Sequence, residues 1–391
     1  MIFHRYGPYH CARMRAFAAR GPAVAIEVVR KDTTYQWDLV DYSQDFRRVT
    51  LFPELMADEP RVGDLRRRLY RCLETEKPRA VAIPGWSTPY AFLALWWCLK
   101  TSTPAVLMSE STVLDRRRTF LGEAVKRRLL CLYRAALVGG RRQTEYVNLL
   151  GFPELAVVPG YAVVDNAHFG RLQVGGEAGP DTRQSFLVCC RFVRKKNLPR
   201  LLEGYARYRQ EAGSAAWGLV LAGEGPEGDK VAEAIRTLRV DDSVCLAGFV
   251  QYDELPALYG GAGAFILPSA CDEQWGLVVN EAMAAGLPAL VSNRCGCAPD
   301  LVEEGRNGFT FDPYDAEELA RLMLRVSSMS EDGRAAMGQA SREIISRWTP
   351  ETFATNLMKA VQIALNAPQP KATVVGRALL WVLIHRPRAF L

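Results

Sequence analysis

The 391-residue sequence has no Cys-x-x-Cys, no Asp-x-Asp, only four histidines and no apolar run of bilayer length. Each shortage excludes something. A membrane-crossing helix needs about 20 consecutive apolar residues, so none is expected. The opening Met1–His10 has no cationic start followed by an apolar core, so a protein made and kept in the cytoplasm is expected. The ten cysteines are scattered from Cys11 to Cys297, mostly inside apolar runs, which reads as reduced thiols used as small core residues and not as a disulfide framework. Cys295-Gly296-Cys297 has no third and fourth ligand nearby and does not make a zinc site. The missing Asp-x-Asp removes one common way of holding a divalent cation.

Hydrophobic residues make up 49% of the chain and charged residues 24%, an ordinary soluble composition at a length that allows two domains. The net charge of +6 is uneven: residues 1–170 hold 25 Lys and Arg against 17 Asp and Glu, and the remainder 24 against 26. A basic half points to nucleic acid or to an anionic membrane. No aromatic-basic motif for nucleic acid is present, so no nucleic-acid partner is expected and a membrane surface is the better reading. The helical stretch Leu114–Leu132, with Arg116, Arg117, Arg118, Lys126, Arg127 and Arg128, is the candidate surface.

Short apolar runs alternate with helical patterns along the whole chain, as in α/β folds with parallel sheets. The most ordered stretch is Ala264–Asn293. Ala264–Leu267 is a buried strand ended by Pro268, Gly276–Ala285 has helical spacing until Gly286-Leu287-Pro288 stops it, and the next strand follows. In an open parallel sheet ligands sit beyond the carboxyl ends of the strands, which places the loop 269–275 with Glu273 at such an end. Glu281 lies little more than a turn into the helix.

Arg191 follows the strand Phe186–Cys190, and Lys196 precedes Asn197, a helix N-cap with Pro199 in the first turn. Cations beside the unpaired amides of a helix start suit a diphosphate. Gly223 and Gly225 follow the strand Leu219–Ala222 and would let backbone approach a ligand. Phe249 and Val250 follow the next strand.

Glu273-x7-Glu281 with Trp275-Gly276-Leu277 between, then Ala285-Gly286-Leu287-Pro288, resembles the donor-sugar signature of the retaining family-4 glycosyltransferases. Arg191-x4-Lys196 resembles the diphosphate element of the same family. The resemblance covers residues 185 to about 320 strongly and the rest weakly. It implies the GT-B fold, two doubly wound domains facing across a cleft: an acceptor-binding domain over 1–171, a linker over 172–184, a nucleotide-sugar domain over 185–348, and a helix and tail over 349–391 crossing back to the first domain. It implies that Arg191 and Lys196 neutralise the leaving diphosphate, that Glu273 contacts the donor sugar and Glu281 the ribose. The amides of Gln274, Trp275, Gly276 and Leu277 add donors, Gly223 and Gly225 flank the ligand, and Phe249 and Val250 meet the base.

Departures are equally specific. The first strand is very short, Asp300 stands where Glu is usual, and Ser109-Glu110-Ser111-Thr112 falls where similar enzymes place a histidine. His10 and Glu110 are therefore candidates for the acceptor or sugar side, with capping and packing as their alternatives. The resemblance implies transfer of a sugar from a nucleotide-diphosphate sugar to a glycan, lipid-linked or small-molecule acceptor in surface-polysaccharide or glycoconjugate synthesis, with no protein nucleophile, no metal and no cofactor. A sugar-nucleotide epimerase and a silent sugar-nucleotide-binding peripheral membrane protein are the other readings. The tail Val374–Leu391 has two, packing on the first domain or lying on lipid.

Overall fold

A computed structural model describes residues 1–30, 45–55, 60–115, 118–171, 184–370 and 373–385. Arg116, Arg117, the linker residues 172–183 and the tail residues 386–391 lie outside these ranges. The chain divides into two compact units, one of residues 1–113, 117–163 and 350–391, the other of 114–116 and 164–349.

The first unit has two parallel sheets. Strands β1 (Ile2–Phe3), β2 (Val24–Val29) and β3 (Arg47–Phe52) lie in sequence order, and so do β4 (Val81–Pro84), β5 (Ala105–Ser109), β6 (Ala135–Val138) and β7 (Val157–Pro159). Helix Pro89–Thr101 is buried along most of its length and carries Pro at its start, where a missing amide costs nothing. Helix Pro350–Asn366 belongs to this unit because its apolar stripe is covered there. Phe353 is fully buried 6.1 Å from the Tyr161 ring, and Arg20 donates to the Glu351 carbonyl at 3.2 Å.

The basic stretch is shorter than the sequence indicates. Its helix runs Phe120–Leu130, begun by the Thr119 hydroxyl accepting from the Gly122 amide at 3.1 Å. Of the six cations expected to form one surface, Arg116 and Arg117 lie outside the described residues. Arg118 and Lys126 turn onto Glu123 and the Tyr146 hydroxyl, leaving Arg127 and Arg128 exposed.

The second unit has one six-stranded parallel sheet: β8 (Ser185–Cys189), β9 (Gly218–Ala222), β10 (Val244–Gly248), β11 (Ala264–Leu267), β12 (Ala289–Ser292) and β13 (Gly308–Phe311). The order is β10-β9-β8-β11-β12-β13. Strand order reverses at β8, so β8 and β11 flank the switch point where loops diverge and a crevice opens. The unit begins at Val164, ahead of the expected boundary at 171, because the short helix Asn166–Phe169 is tied into it. Asn166 donates to the Ile345 carbonyl at 2.9 Å, and the His168 ring stacks on Tyr252 at 4.1 Å.

A charge unremarked in the sequence organises the first unit. Glu27, on the central strand β2, is fully buried. Its carboxylate accepts from Arg48 Nε and Nη2 at 2.9 and 2.7 Å, from Thr50 at 2.6 Å and from the Tyr6 amide at 3.2 Å, which fixes the turn before helix Pro8–Ala18. Removing one partner of a buried pair strands the other, whereas an apolar pair of similar volume need not destabilise. Arg48→Met is therefore expected to lower stability by about 3–5 kcal/mol, and Glu27→Leu with Arg48→Met by much less. Urea unfolding of the three proteins checks this; equal losses in the single and double variants would contradict it.

Candidate active site at the switch point

The loops after β8 and β11 meet through charge. Lys196 closes a single 3-10 turn, Arg194–Lys196, and its ammonium contacts the Glu273 carboxylate. Both side chains are about one-tenth exposed, so this is a buried ion pair. The Ser269 hydroxyl donates to the same Glu273 oxygen at 2.7 Å. Lys195 donates to the Asp272 carbonyl at 2.9 Å, and the Ala270 amide to the Lys195 carbonyl at 2.9 Å.

Burial alone would raise the Glu273 carboxyl, but the charges of Lys196 and Lys195 and the hydrogen bonds from Lys196 and Ser269 outweigh it and hold it below the usual carboxylate range. Burial alone would lower Lys196, and Glu273 reverses that. Both groups are held charged.

Arg191 is exposed, one residue beyond the buried Cys190, and makes no ion pair among the described residues. The two cations expected to act alike therefore differ: Arg191 faces solvent, and Lys196 is enclosed. Asn197 does sit at the cap position of helix Leu198–Ala212, yet its side chain makes no cap bond and donates to the Pro313 carbonyl at 2.7 Å. Its left-handed backbone, φ 55°, turns the chain from the 3-10 turn into the helix.

Gly223 and Gly225 admit a close approach of the protein to itself. A Cβ at Gly223 would lie 1.9 Å from the Cys190 carbonyl oxygen, and one at Gly225 2.5 Å from that of Phe192. The close approach is of loop to loop, clamped by Phe192 N to Glu224 O at 2.8 Å and Glu227 N to Phe192 O at 2.9 Å. These glycines hold the Arg191 loop in place.

Gly276 has φ 106° and opens helix Leu277–Ala285; a Cβ there would meet Leu267 at 2.8 Å. The first amides of that helix, Leu277 among them, have no intrahelical acceptor. Trp275 is buried, donates from Nε1 to Asn280 at 2.8 Å and packs 4.8 Å from the Trp348 ring, so its side chain is a wedge behind the loop. Gln274 donates to Asp115 at 3.1 Å. Glu281 is fully enclosed, with one oxygen accepting from the Tyr259 hydroxyl at 2.7 Å. Phe249 and Val250 are half-buried just past β10.

In the first unit, His10 and Glu110 are both half-buried, on helix Pro8–Ala18 and just past β5. The His10 ring lies 4.2 Å from that of Phe3, and its Nδ1 is buried with no hydrogen-bond partner among the described residues. Burial, then Arg13 and Arg5, push the imidazole down to about 3, so it is neutral near pH 7.

Sequence reasoning gave no role to Ser269, Lys195 or Tyr259, and it read Cys295-Gly296-Cys297 only as too sparse for a zinc site. That turn braces the site: Gly296 N donates to the Glu273 carbonyl at 2.9 Å and Cys297 N to that of Trp275 at 3.1 Å. The signal for Ser269 was its place directly after the Pro-ended strand β11, and for Lys195 its place in the run Arg194-Lys195-Lys196; for Tyr259 there was none.

Residues 176–344 match the family model of glycosyl transferases group 1. This stretch is a glycosyl transferases group 1 domain. The group 1 domain contains both loops of the site. Over 182 residues the chain is 30% identical to the GDP-mannose-dependent alpha-(1-6)-phosphatidylinositol monomannoside mannosyltransferase of Mycobacterium tuberculosis, covering 45% of this chain and 46% of that one. It is 35% identical over 128 residues to the sulfoquinovosyl transferase SQD2 of Arabidopsis thaliana, covering 32% and 24%. The chain spans less than half the length of these curated relatives. The fold extends further than the sequence likeness. Anabaena HepE, solved in complex with UDP, superimposes over 92% of this chain and 99% of its own at TM-score 0.69 and 16% identity. The expected GT-B fold class, two α/β units built on parallel sheets, holds.

The buried pair gives the group 1 domain a defined pH window. Glu273, depressed below its ordinary 4.5, contributes stability that is present above that value and lost as pH falls through its folded value. Lys196, raised above its ordinary 10.5, contributes stability that is present below that value and lost as pH rises through its folded value. The stability difference between wild type and Glu273→Gln/Lys196→Met is expected to be level between these limits and to shrink outside them. Urea unfolding across the range measures it, and a slope near neutral pH would count against the pair.

Proposed function

We propose that the chain is a retaining glycosyltransferase that takes a sugar from a nucleotide-diphosphate donor bound by the group 1 domain and passes it to a glycan, lipid-linked or small-molecule acceptor. The observation that carries this reading is the site's position: cations after β8 and a carboxylate after β11, at the point where strand order reverses. The structure of HepE holds UDP, and the relative from Mycobacterium tuberculosis is named as GDP-mannose-dependent, which supports a nucleoside diphosphate as the leaving group.

In this reading Arg191 meets the diphosphate. Negative charge on the bridging oxygen grows as the glycosidic bond breaks, so a fixed cation there stabilises the transition state more than the ground state. Glu273 is held ionised by Lys196 and accepts from the sugar hydroxyls, with the Ser269 hydroxyl fixing one of its oxygens. The acceptor attacks from the face on which the diphosphate departs, so the anomeric configuration is kept and no protein nucleophile is assigned. Positive side chains take the place of a bridging metal ion. Glu281, bonded to Tyr259, stands behind the helix start that faces the donor ribose. A cytoplasmic setting follows from a cytoplasmic sugar nucleotide; among the described residues no helix is long and apolar enough to cross a membrane.

Arg191→Ala is expected to lower turnover by about 10²-fold or more with the melting temperature unchanged, because the side chain is exposed. Lys196→Ala is expected to lower both, since it leaves Glu273 buried and unpaired. The assay is donor hydrolysis or transfer with a panel of nucleotide sugars; undiminished turnover in Arg191→Ala would remove that residue from the site. Chelator is expected to leave transfer unchanged, and nuclear magnetic resonance of the product to show the donor's anomeric configuration. Restoration by Mg²⁺ after chelation, or an inverted anomer, would refute the mechanism.

A further inference from the structure

Helix Val374–His385 packs on the first unit by one side only. Leu380 and Leu383 are fully buried and Ile384 nearly so, joined to a core that includes Leu129, Leu130 and Leu132. These positions, with buried Gly376, follow the i, i+4, i+7, i+8 spacing of one helical face. The opposite face carries Val375, Ala378 and Trp381 exposed and Val382 half-buried. Trp381 is 55% exposed and Val375 61%. Elsewhere the protein does otherwise: helix Ala316–Ser327 turns Glu317, Arg321 and Arg325 outward. A helix apolar on both faces is buried on both or meets something apolar.

Charge decides what that is. After Glu351 the sequence has no Asp or Glu, while Lys359, Lys371, Arg377, Arg386 and Arg388 follow, of which Lys371, Arg386 and Arg388 are counted by sequence alone. Arg377 is exposed on the helix itself. An apolar outer face with a tryptophan, set in a segment of one positive sign, fits the headgroup boundary of an anionic bilayer: the indole sits at the interface and the cations meet lipid phosphates. Twelve residues span about 18 Å, short of the roughly 30 Å hydrocarbon core, so the helix lies on the surface. We infer that the Val375–Trp381 face of helix Val374–His385 is a docking surface for anionic lipid. This places lipid contact on helix Val374–His385; Lys126 of helix Phe120–Leu130 and Arg118 just before it are engaged internally, while Phe120, Leu121, Arg127 and Arg128 of that helix are exposed and serve as the comparison.

The test is flotation of the full chain with vesicles of three parts phosphatidylcholine to one part phosphatidylglycerol at low salt. Wild type is expected to float, and to float less with phosphatidylcholine alone. Val375→Ser/Trp381→Ser should lower partitioning by roughly tenfold or more, Arg377→Gln by about fivefold, and Arg127→Gln/Arg128→Gln should match wild type. All three keep buried positions intact, and an unchanged melting temperature confirms the fold. The proposal is overturned if wild type does not float, if the double serine variant floats undiminished, or if the loss tracks Arg127 and Arg128. It is equally overturned if sedimentation shows wild type as a dimer and the serine variant as a monomer, for then a second copy covers the face.

Discussion

The group 1 domain depends on the enclosed contact between Lys196 and Glu273. Two loops that leave neighbouring strands at a switch point diverge by construction, and something must hold them in register. Here an ion pair does so with help from neutral bonds: Ser269 to Glu273, Lys195 to the Asp272 carbonyl, and Ala270 to the Lys195 carbonyl. Enclosing both charges is costly unless each is paired, and the pairing keeps both ionised near neutral pH. The glycines at 223 and 225 serve the same end from the other side, since a side chain at either would push the 190–192 segment away.

Much of this was legible in the sequence because it depends on local pattern. Pro268 ending an apolar run, Gly276 before a helical spacing and Gly286-Leu287-Pro288 after it locate strand, loop, helix and strand without tertiary knowledge. What was not legible depends on distant partners. Nothing near Glu27 in the chain announces Arg48 and Thr50, and nothing near Gly223 announces the Cys190 carbonyl. Glycine reads the same whether a ligand or another strand's loop comes close. Trp275 illustrates the same limit: the motif assigned a role to its backbone amide, and nothing near it announced that its indole bonds Asn280 and packs on Trp348.

Charge counting misleads for a related reason. The first part of the chain is strongly basic, yet several of its cations are spent internally, Arg13 on the Val163 carbonyl, Arg48 on Glu27, and Arg118 and Lys126 around Tyr146. A helical run of Lys and Arg is a surface field only if the side chains point outward, and aromatic hydroxyls and faces are competent sinks for them. The exposed apolar face of helix Val374–His385 draws less notice in a composition profile, because its inner and outer residues are of the same type.

The same reasoning redistributes the charges of the proposed donor site. Lys196 touches Glu273, so at the distance of a bound diphosphate the two nearly cancel. Beside the pair stand Arg191 and Arg194, both exposed, and Lys195, whose ammonium bonds a neutral carbonyl. Against them stands Asp272, held at φ 52° beside Lys195. Counted alone, these three cations and one carboxylate leave two positive charges, which in the proposed reading suits a diphosphate. Lys196 then acts by keeping Glu273 ionised and in place, and the attraction for the leaving group falls to its neighbours. In the proposed reading a motif of two cations thus divides into an enclosed member that holds Glu273 and an exposed one that meets the ligand, a division that follows from burial.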